Sequence, residues 1–225
     1  MWSVVAERGF LMGLPQRRQS LLLHLSLLHE KSAGKTIHGQ DWASVMECAN
    51  AQAYVMPPHL SFSRGDRSVH QELAPHLDED DEMVRIDPYG HTNEMHLMQW
   101  LTEIFIPHAK GGDDLMPPTM RTQLLLIEGW HIMVPFDFFV TCPEQNIIPL
   151  CPPGIASQNV QPLDVGLFPS VLREYTSRMY STQPSFPLTT LTREEFIEHY
   201  EASRLDMGGP SLLVGWMATG LRPFS

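Results

Sequence analysis

The sequence predicts an α/β fold in which a mixed sheet begins with antiparallel strands, continues with parallel strands and is flanked by helices. Apolar and β-branched segments occupy residues 2–6, 42–48 and 54–62. Two further apolar segments, at 121–127 and 146–151, are separated by a helical pattern. A strand–helix–strand order implies a right-handed parallel crossover. Proline accounts for 19 of the 225 residues, which favours many loops between short elements over a helical bundle.

The strands follow one another with distinct signals. The first is expected to end near Gly9, and the next two pair as antiparallel neighbours across a turn at 49–52. Pro57-Pro58 is expected at an edge or a bulge of the returning strand, because proline cannot donate to the sheet ladder. The run at 121–127 is typical of a buried strand, and Glu128 stands at its carboxyl end. The segment 146–151 predicts another short buried strand.

Four helices are predicted, at 92–105, 135–142, 161–179 and about 192–204. Thr92 is expected to cap the first helix at its N-terminus. One face of that helix is predicted to pack in the core through Met95, Met98, Leu101 and Phe105. The Pro/Ser/Thr stretch 183–190 predicts a linker. We therefore divide the chain into a core domain at 1–182 and a C-terminal helical extension of the same domain at 183–225.

Composition and charge narrow the classes of function. Hydrophobic residues make up 43% of the chain, which argues against disorder, and no stretch reaches the roughly 20 apolar residues of a membrane span. Fifteen Lys plus Arg against 26 Asp plus Glu give a net charge of −11. Because nucleic-acid-binding proteins usually carry a basic face, DNA binding is expected only through a local patch. Three scattered cysteines predict a reduced, intracellular protein.

Two carboxylates stand at positions that a parallel sheet can bring together. Glu128 ends a buried strand, and Asp164 opens a helix with 35 residues between them. Sites in open α/β sheets lie outside the carboxyl ends of the strands. Two carboxylates there, with a third acid, are what a pair of divalent ions requires. The pattern alone also fits a solvated strand end and a helix cap, so both interpretations stay open.

Several segments carry a resemblance that extends over nearly the whole chain. The main ones are Leu124-Leu-Leu-Ile-Glu-Gly129, Asn146-Ile-Ile-Pro-Leu-Cys-Pro-Pro153 and Val160-Gln-Pro-Leu-Asp-Val-Gly-Leu-Phe168. They resemble the DDE-superfamily endonuclease domain of pogo-like, mariner-related fungal transposases. Gln161-Pro-Leu-Asp-Val-Gly166 is the most specific segment, because it matches the one that carries the family's last metal-binding aspartate.

The resemblance implies a ribonuclease-H-like fold with a three-stranded antiparallel meander followed by parallel strands. It also implies that Glu128 and Asp164 are catalytic residues and ligands of Mg²⁺, the expected cofactor. DNA is the implied partner, and the nucleus is the implied location. No association with a membrane is implied. A homo-oligomer is compatible with the resemblance, and no protein partner is indicated.

The departures from the family pattern fall on the predicted site. The family's first metal ligand, an aspartate in an Asp-Glu pair before Gly-Phe, falls on Ala6, which supplies no oxygen. Glu7 is its neighbour on a strand and should face the opposite side of the sheet. Glu128 replaces the usual second aspartate, and Trp130 and Met133 replace two family histidines. The sequence begins at the first strand, so the family's helix-turn-helix region is not expected here.

We therefore expect a degenerate, transposase-derived domain that keeps the fold and at most residual affinity for DNA. Catalysis should be lost, because the charge of three carboxylates is needed to hold two metal ions. One alternative is a vestigial or domesticated protein-interaction module without DNA binding, which the acidic balance favours. Another is a residually active, metal-dependent endonuclease or transposase. In each case we expect Ala6, Glu128 and Asp164 to converge at one end of the sheet.

Overall fold

The computed structural model describes residues 2–12, 42–62, 84–86, 92–109, 122–127, 134–152, 161–182 and 191–221. The predicted linker at 183–190 and Glu128 lie outside these residues.

Six strands form one sheet within the described residues. They are β1 (Trp2–Leu11), β2 (Trp42–Asn50), β3 (His59–Phe62), β4 (Val84–Ile86), β5 (Gln123–Ile127) and β6 (Ile147–Leu150). Their order across the sheet is β4-β3-β2-β1-β5-β6. The β1–β2 and β2–β3 pairs are antiparallel, whereas β3–β4, β1–β5 and β5–β6 are parallel. The predicted ribonuclease-H-like mixed sheet is confirmed.

The described helices lie between β4 and β5, between β5 and β6, and after β6 along the chain. Helix α1 (Glu94–Gln99) continues through a π-helical segment (Trp100–Phe105) into the short α2 (Ile106–Ala109). Helix α3 (Phe136–Glu144) connects β5 to β6. A second π-helical segment (Leu163–Leu167) leads into α4 (Phe168–Thr182), and α5 (Arg193–Ala218) follows.

The sheet lies between two helical layers, each with its own buried core. Because side chains alternate along a strand, β1 sends Val4 and Ala6 to one core and Val5 to the other. The first core contains side chains of α4, α5 and the segment Leu163–Leu167, and the second contains side chains of α1 and α3. An aromatic cluster fixes α4 and α5 to β1, since the Phe10 ring lies 5.4–6.0 Å from the rings of Tyr175, Phe196 and Tyr200.

The first helix differs from its prediction in its start and in its buried face. Its N-cap is Asn93, whose Oδ1 accepts a hydrogen bond from the His96 amide at 2.9 Å, so the predicted cap at Thr92 is wrong. Leu101 and Phe105 are buried and Met98 packs against the core, as predicted, but Met95 is 62% exposed. Leu97 and Trp100 are buried as well, so the buried face is centred further from Met95 than predicted.

Three other elements depart from expectation. β1 continues past Gly9 to Leu11. β6 was predicted to be buried, but as an outer strand of this sheet it leaves Ile148 46% exposed. Helix α5 begins as predicted, with Thr192 and Glu195 forming a capping box, yet it continues through Pro210 to Ala218 rather than ending near Arg204. Packing against the Leu163–Leu167 segment supports that second half.

Candidate functional site

Val5 on β1 is the point where the main chain brings the predicted site positions near one another. Val5 pairs with Ile127, the last residue of β5 and the one before Glu128. The buried Gln161 donates a hydrogen bond from Nε2 to the Val5 carbonyl oxygen at 3.0 Å. Ala6 follows Val5, and Asp164 follows Gln161 by one turn. Glu128 itself is outside the described residues, so the convergence of the three side chains stays a prediction.

Ala6 and Glu7 face opposite sides of the sheet, as predicted. Ala6 is completely buried in the core that contains Leu163. On the other side, Oε1 of Glu7 accepts a hydrogen bond from the Thr92 amide at 3.1 Å, just before α1. The carboxylate of Glu7 therefore cannot reach the side of the sheet where Asp164 lies.

Asp164 lies near the start of the π-helical segment, and its charged neighbour is Arg8. The Asp164 side chain is 12% exposed, and its Oδ1 is 3.7 Å from Nη1 of Arg8, whose side chain is 40% exposed. Arg8 follows Ala6 by two positions on β1, so both side chains point to the same face. The sequence contained this signal, since the same alternation that separates Ala6 from Glu7 places Arg8 beside the predicted site.

Two glycines allow the segment that carries Asp164 to touch α5 directly. A Cβ atom at Gly166 would overlap the Ser211 carbonyl oxygen and lie 3.0 Å from the Gly215 Cα. A Cβ atom at Gly215 would overlap the Pro162 carbonyl oxygen and lie 3.2 Å from the Gly166 Cα. The main chains of α5 and of the Leu163–Leu167 segment therefore meet without intervening side chains. This contact fixes how far Asp164 lies from the sheet.

A buried carboxylate that the sequence interpretation missed lies across from Ala6. Glu47 is the β2 partner of Ala6 in the antiparallel register and is completely buried. Its Oε1 accepts hydrogen bonds from the Tyr200 hydroxyl at 2.6 Å and from Nε of Arg204 at 2.7 Å. Arg204 also donates to the Met56 carbonyl oxygen. The sequence contained a signal for this cluster, because Glu47 stands among the apolar residues of 42–48. A carboxylate buried there needs hydrogen-bonding or charged partners from elsewhere in the fold.

The Glu47 cluster also affects the titration of Tyr200. Burial, and after it the negative charge of Glu47, raises the pKa of the Tyr200 hydroxyl well above its usual value. The hydroxyl therefore stays protonated at neutral pH and continues to donate to Glu47. These contacts attach α5 to β2, next to the strand that carries Ala6 and Arg8.

The described residues by themselves do not make up a divalent-cation site at Asp164, and the predicted ligand Glu128 lies outside them. Within the described ranges, no group of three His, Cys, Asp or Glu side chains could hold a metal ion. Ala6 has no oxygen in its side chain, the Arg8 guanidinium faces Asp164, and Arg204 binds Glu47. A cation already neighbours each of these two carboxylates, which leaves a metal ion little to neutralise.

Residues 39–208, about three quarters of the chain, match the family model described as DDE superfamily endonuclease. The chain belongs to this family. Members of the DDE superfamily generally use divalent metal ions. No solved structure gives a significant match to the chain.

A curated relative shows the same region inside a much longer protein. The chain is similar to a protein of Cochliobolus lunatus named "MFS-type transporter clz9", with 24% identity over 202 residues. The match covers 88% of this chain but only 20% of the relative, so the name describes a protein about five times the matched length. Among the described residues of this chain, none of the helices is long and apolar enough to cross a membrane.

Proposed function

We propose that this chain is a transposase-derived DDE endonuclease domain of the pogo-like group that has lost DNA cleavage and keeps weak affinity for DNA. The observation that carries the proposal is Ala6. It stands next to Val5, which pairs with the end of β5 and accepts the hydrogen bond of Gln161. By the resemblance, Ala6 stands at the position of the family's first acid and offers a methyl group there.

The loss of cleavage follows from the missing charge. In the family, the acids hold the Mg²⁺ ions that stabilise the charge developing on the phosphodiester, and Glu128 and Asp164 are the two that remain in this sequence. Glu7 offers no replacement, because its carboxylate is bonded to the Thr92 amide on the opposite face. Two acids without the third would bind metal weakly and position it poorly.

A protein-interaction module without DNA binding is the second candidate, and the net charge of −11 favours it. An acidic surface repels phosphates, so any contact with DNA must come from a local group of arginines or lysines. The two candidates differ in a measurable property, because only phosphate contacts release counterions from DNA.

An electrophoretic mobility shift with plain duplex DNA separates the two candidates. We expect a weak shift at low salt that disappears as salt rises and is unchanged when EDTA replaces Mg²⁺. A shift that requires Mg²⁺ would contradict the proposed loss of the metal site. If no shift occurs even at low salt, the DNA-binding half of the proposal is wrong and the interaction module is favoured.

A further inference from the structure

We propose that the Arg8 guanidinium is a built-in counter-ion for Asp164 that takes the place of a divalent cation at this carboxylate. The inference rests on the proposed function, because it adds a second cause, independent of Ala6, for the loss of metal-dependent cleavage. In this view, restoring an acid at position 6 alone does not restore the metal site.

The geometry places the positive charge on the correct face and near the correct oxygen. Arg8 lies on β1 with its side chain on the same face as Ala6, and its Nη1 is 3.7 Å from Oδ1 of Asp164. The Asp164 side chain is 12% exposed and that of Arg8 is 40% exposed, so Arg8 is the more exposed partner of the pair.

The chemistry of arginine makes this counter-ion permanent. A guanidinium stays protonated at every pH that a folded protein tolerates. The guanidinium is attached to a strand within the sheet, so the fold places it near Asp164. A free metal ion, by contrast, occupies such a site only as its concentration allows. A divalent ion at Asp164 would be repelled by this charge from a few ångströms. Even at the dielectric constant of bulk water, that repulsion over about 4–6 Å weakens binding by roughly ten- to thirtyfold.

Titration of Mn²⁺ by calorimetry into a set of variants tests the inference. The set is the parent, Ala6→Asp, Ala6→Asp with Arg8→Gln, and Ala6→Asp with Arg8→Lys. We expect the Ala6→Asp/Arg8→Gln chain to bind Mn²⁺ about ten- to thirtyfold more tightly than Ala6→Asp alone. The Arg8→Lys chain should stay near Ala6→Asp, because it keeps the charge.

The matched control is Ala6→Asp combined with Arg178→Gln. Arg178 also forms an arginine–carboxylate pair, with Glu174 at 3.1 Å on α4, so this change removes the same charge and the same type of contact elsewhere. It should leave Mn²⁺ binding unchanged relative to Ala6→Asp. The inference is overturned if Ala6→Asp binds Mn²⁺ as tightly with Arg8 as with Gln at position 8. Tight Mn²⁺ binding by the parent chain would instead contradict the proposed function.

A second measurement avoids the buried carboxylate that Ala6→Asp introduces. In the parent background, Arg8→Gln alone should allow Mn²⁺ at millimolar concentration to broaden the backbone amide NMR signals of Val165 and Gly166, next to Asp164. The parent chain should show little broadening of these signals under the same conditions. Equal broadening in the two chains would show that Arg8 does not exclude the cation.

Discussion

Replacing Gly215 with alanine should destabilise the domain, although alanine is the better helix former. The added Cβ atom would overlap the Pro162 carbonyl oxygen and lie 3.1 Å from the Pro162 carbonyl carbon. Both are main-chain atoms of the turn before Asp164, so α5 must move away from the Leu163–Leu167 segment. Overpacking of this kind costs roughly 1–3 kcal/mol, and the severe overlap points to the upper end of that range. Helix propensity returns about 1 kcal/mol, which leaves a net loss of about 2 kcal/mol.

Gly209 supplies the matched control within the same helix. A Cβ atom at Gly209 meets no atom of the neighbouring elements within 4 Å, but Gly209 precedes Pro210, whose ring disfavours a helical residue with a Cβ before it, so Gly209→Ala should change the unfolding free energy little. The two variants should therefore differ by about 2 kcal/mol in unfolding free energy, or roughly 4–8 °C in melting temperature for a domain of this size. Urea unfolding and calorimetry measure both values. If Gly215→Ala is as stable as Gly209→Ala, then α5 does not lie against the Asp164 segment as described.

Three further predictions concern the buried polar groups. Arg204→Met should cost about 3–5 kcal/mol of unfolding free energy, because it leaves the buried Glu47 with only the Tyr200 hydroxyl as a partner. Adding Glu47→Leu to Arg204→Met should recover much of that loss, and no recovery would refute the pairing. With a chromogenic disulfide reagent at neutral pH, the exposed Cys151 should react in the native state, whereas the buried Cys48 and Cys142 should react only on unfolding. Burial raises the pKa of the Cys142 thiol to about 12, and rapid native reaction at three thiols would contradict this packing. Burial also raises the pKa values of Tyr175 and Tyr200 above the usual 10.0. As the pH rises, the unfolded chain therefore loses these protons before the folded chain does. The unfolding free energy should be maintained below about pH 10 and fall as the pH rises further. A urea midpoint that does not change from pH 8 to 11 would contradict this prediction.

The strands could be predicted from sequence because their signals are local. The continuous apolar run before Glu128 gave β5, and the β-branched segments gave β1 and β2. β4 was not predicted. It has three residues, and its position in the sheet depends on pairing with β3, which no local pattern reveals.

The misjudged helices show where tertiary contacts outweigh local preference. Helix α5 was predicted to end near Arg204, and Gly208, Gly209 and Pro210 beyond it are poor helix formers. The structure continues α5 to Ala218, because Leu212 and Trp216 are buried in the core and Gly215 lies against the Asp164 segment. The predicted buried face of the first helix was wrong only at Met95, which lies in the first turn of α1 and is exposed.

The candidate site was predictable in part. Ala6, Glu128 and Asp164 were chosen by resemblance, and alternation along β1 correctly separated Ala6 from Glu7. The division of the chain at residue 182 and the roles of Glu128 and Asp164 stay predictions. Arg8 and Glu47 were missed, because their importance depends on which residues of distant helices lie beside them. Asp164, Tyr200 and Arg204 come from elements more than 100 residues away in the chain.

The proposed loss of cleavage is tested most directly by incubating the parent chain with supercoiled plasmid DNA in Mg²⁺ and in Mn²⁺. The missing oxygen at position 6 and the Arg8 charge beside Asp164 predict no nicked or linear product above the level given by Asp164→Asn. Nicking by the parent chain that requires the metal ion and is abolished in Asp164→Asn would contradict the account.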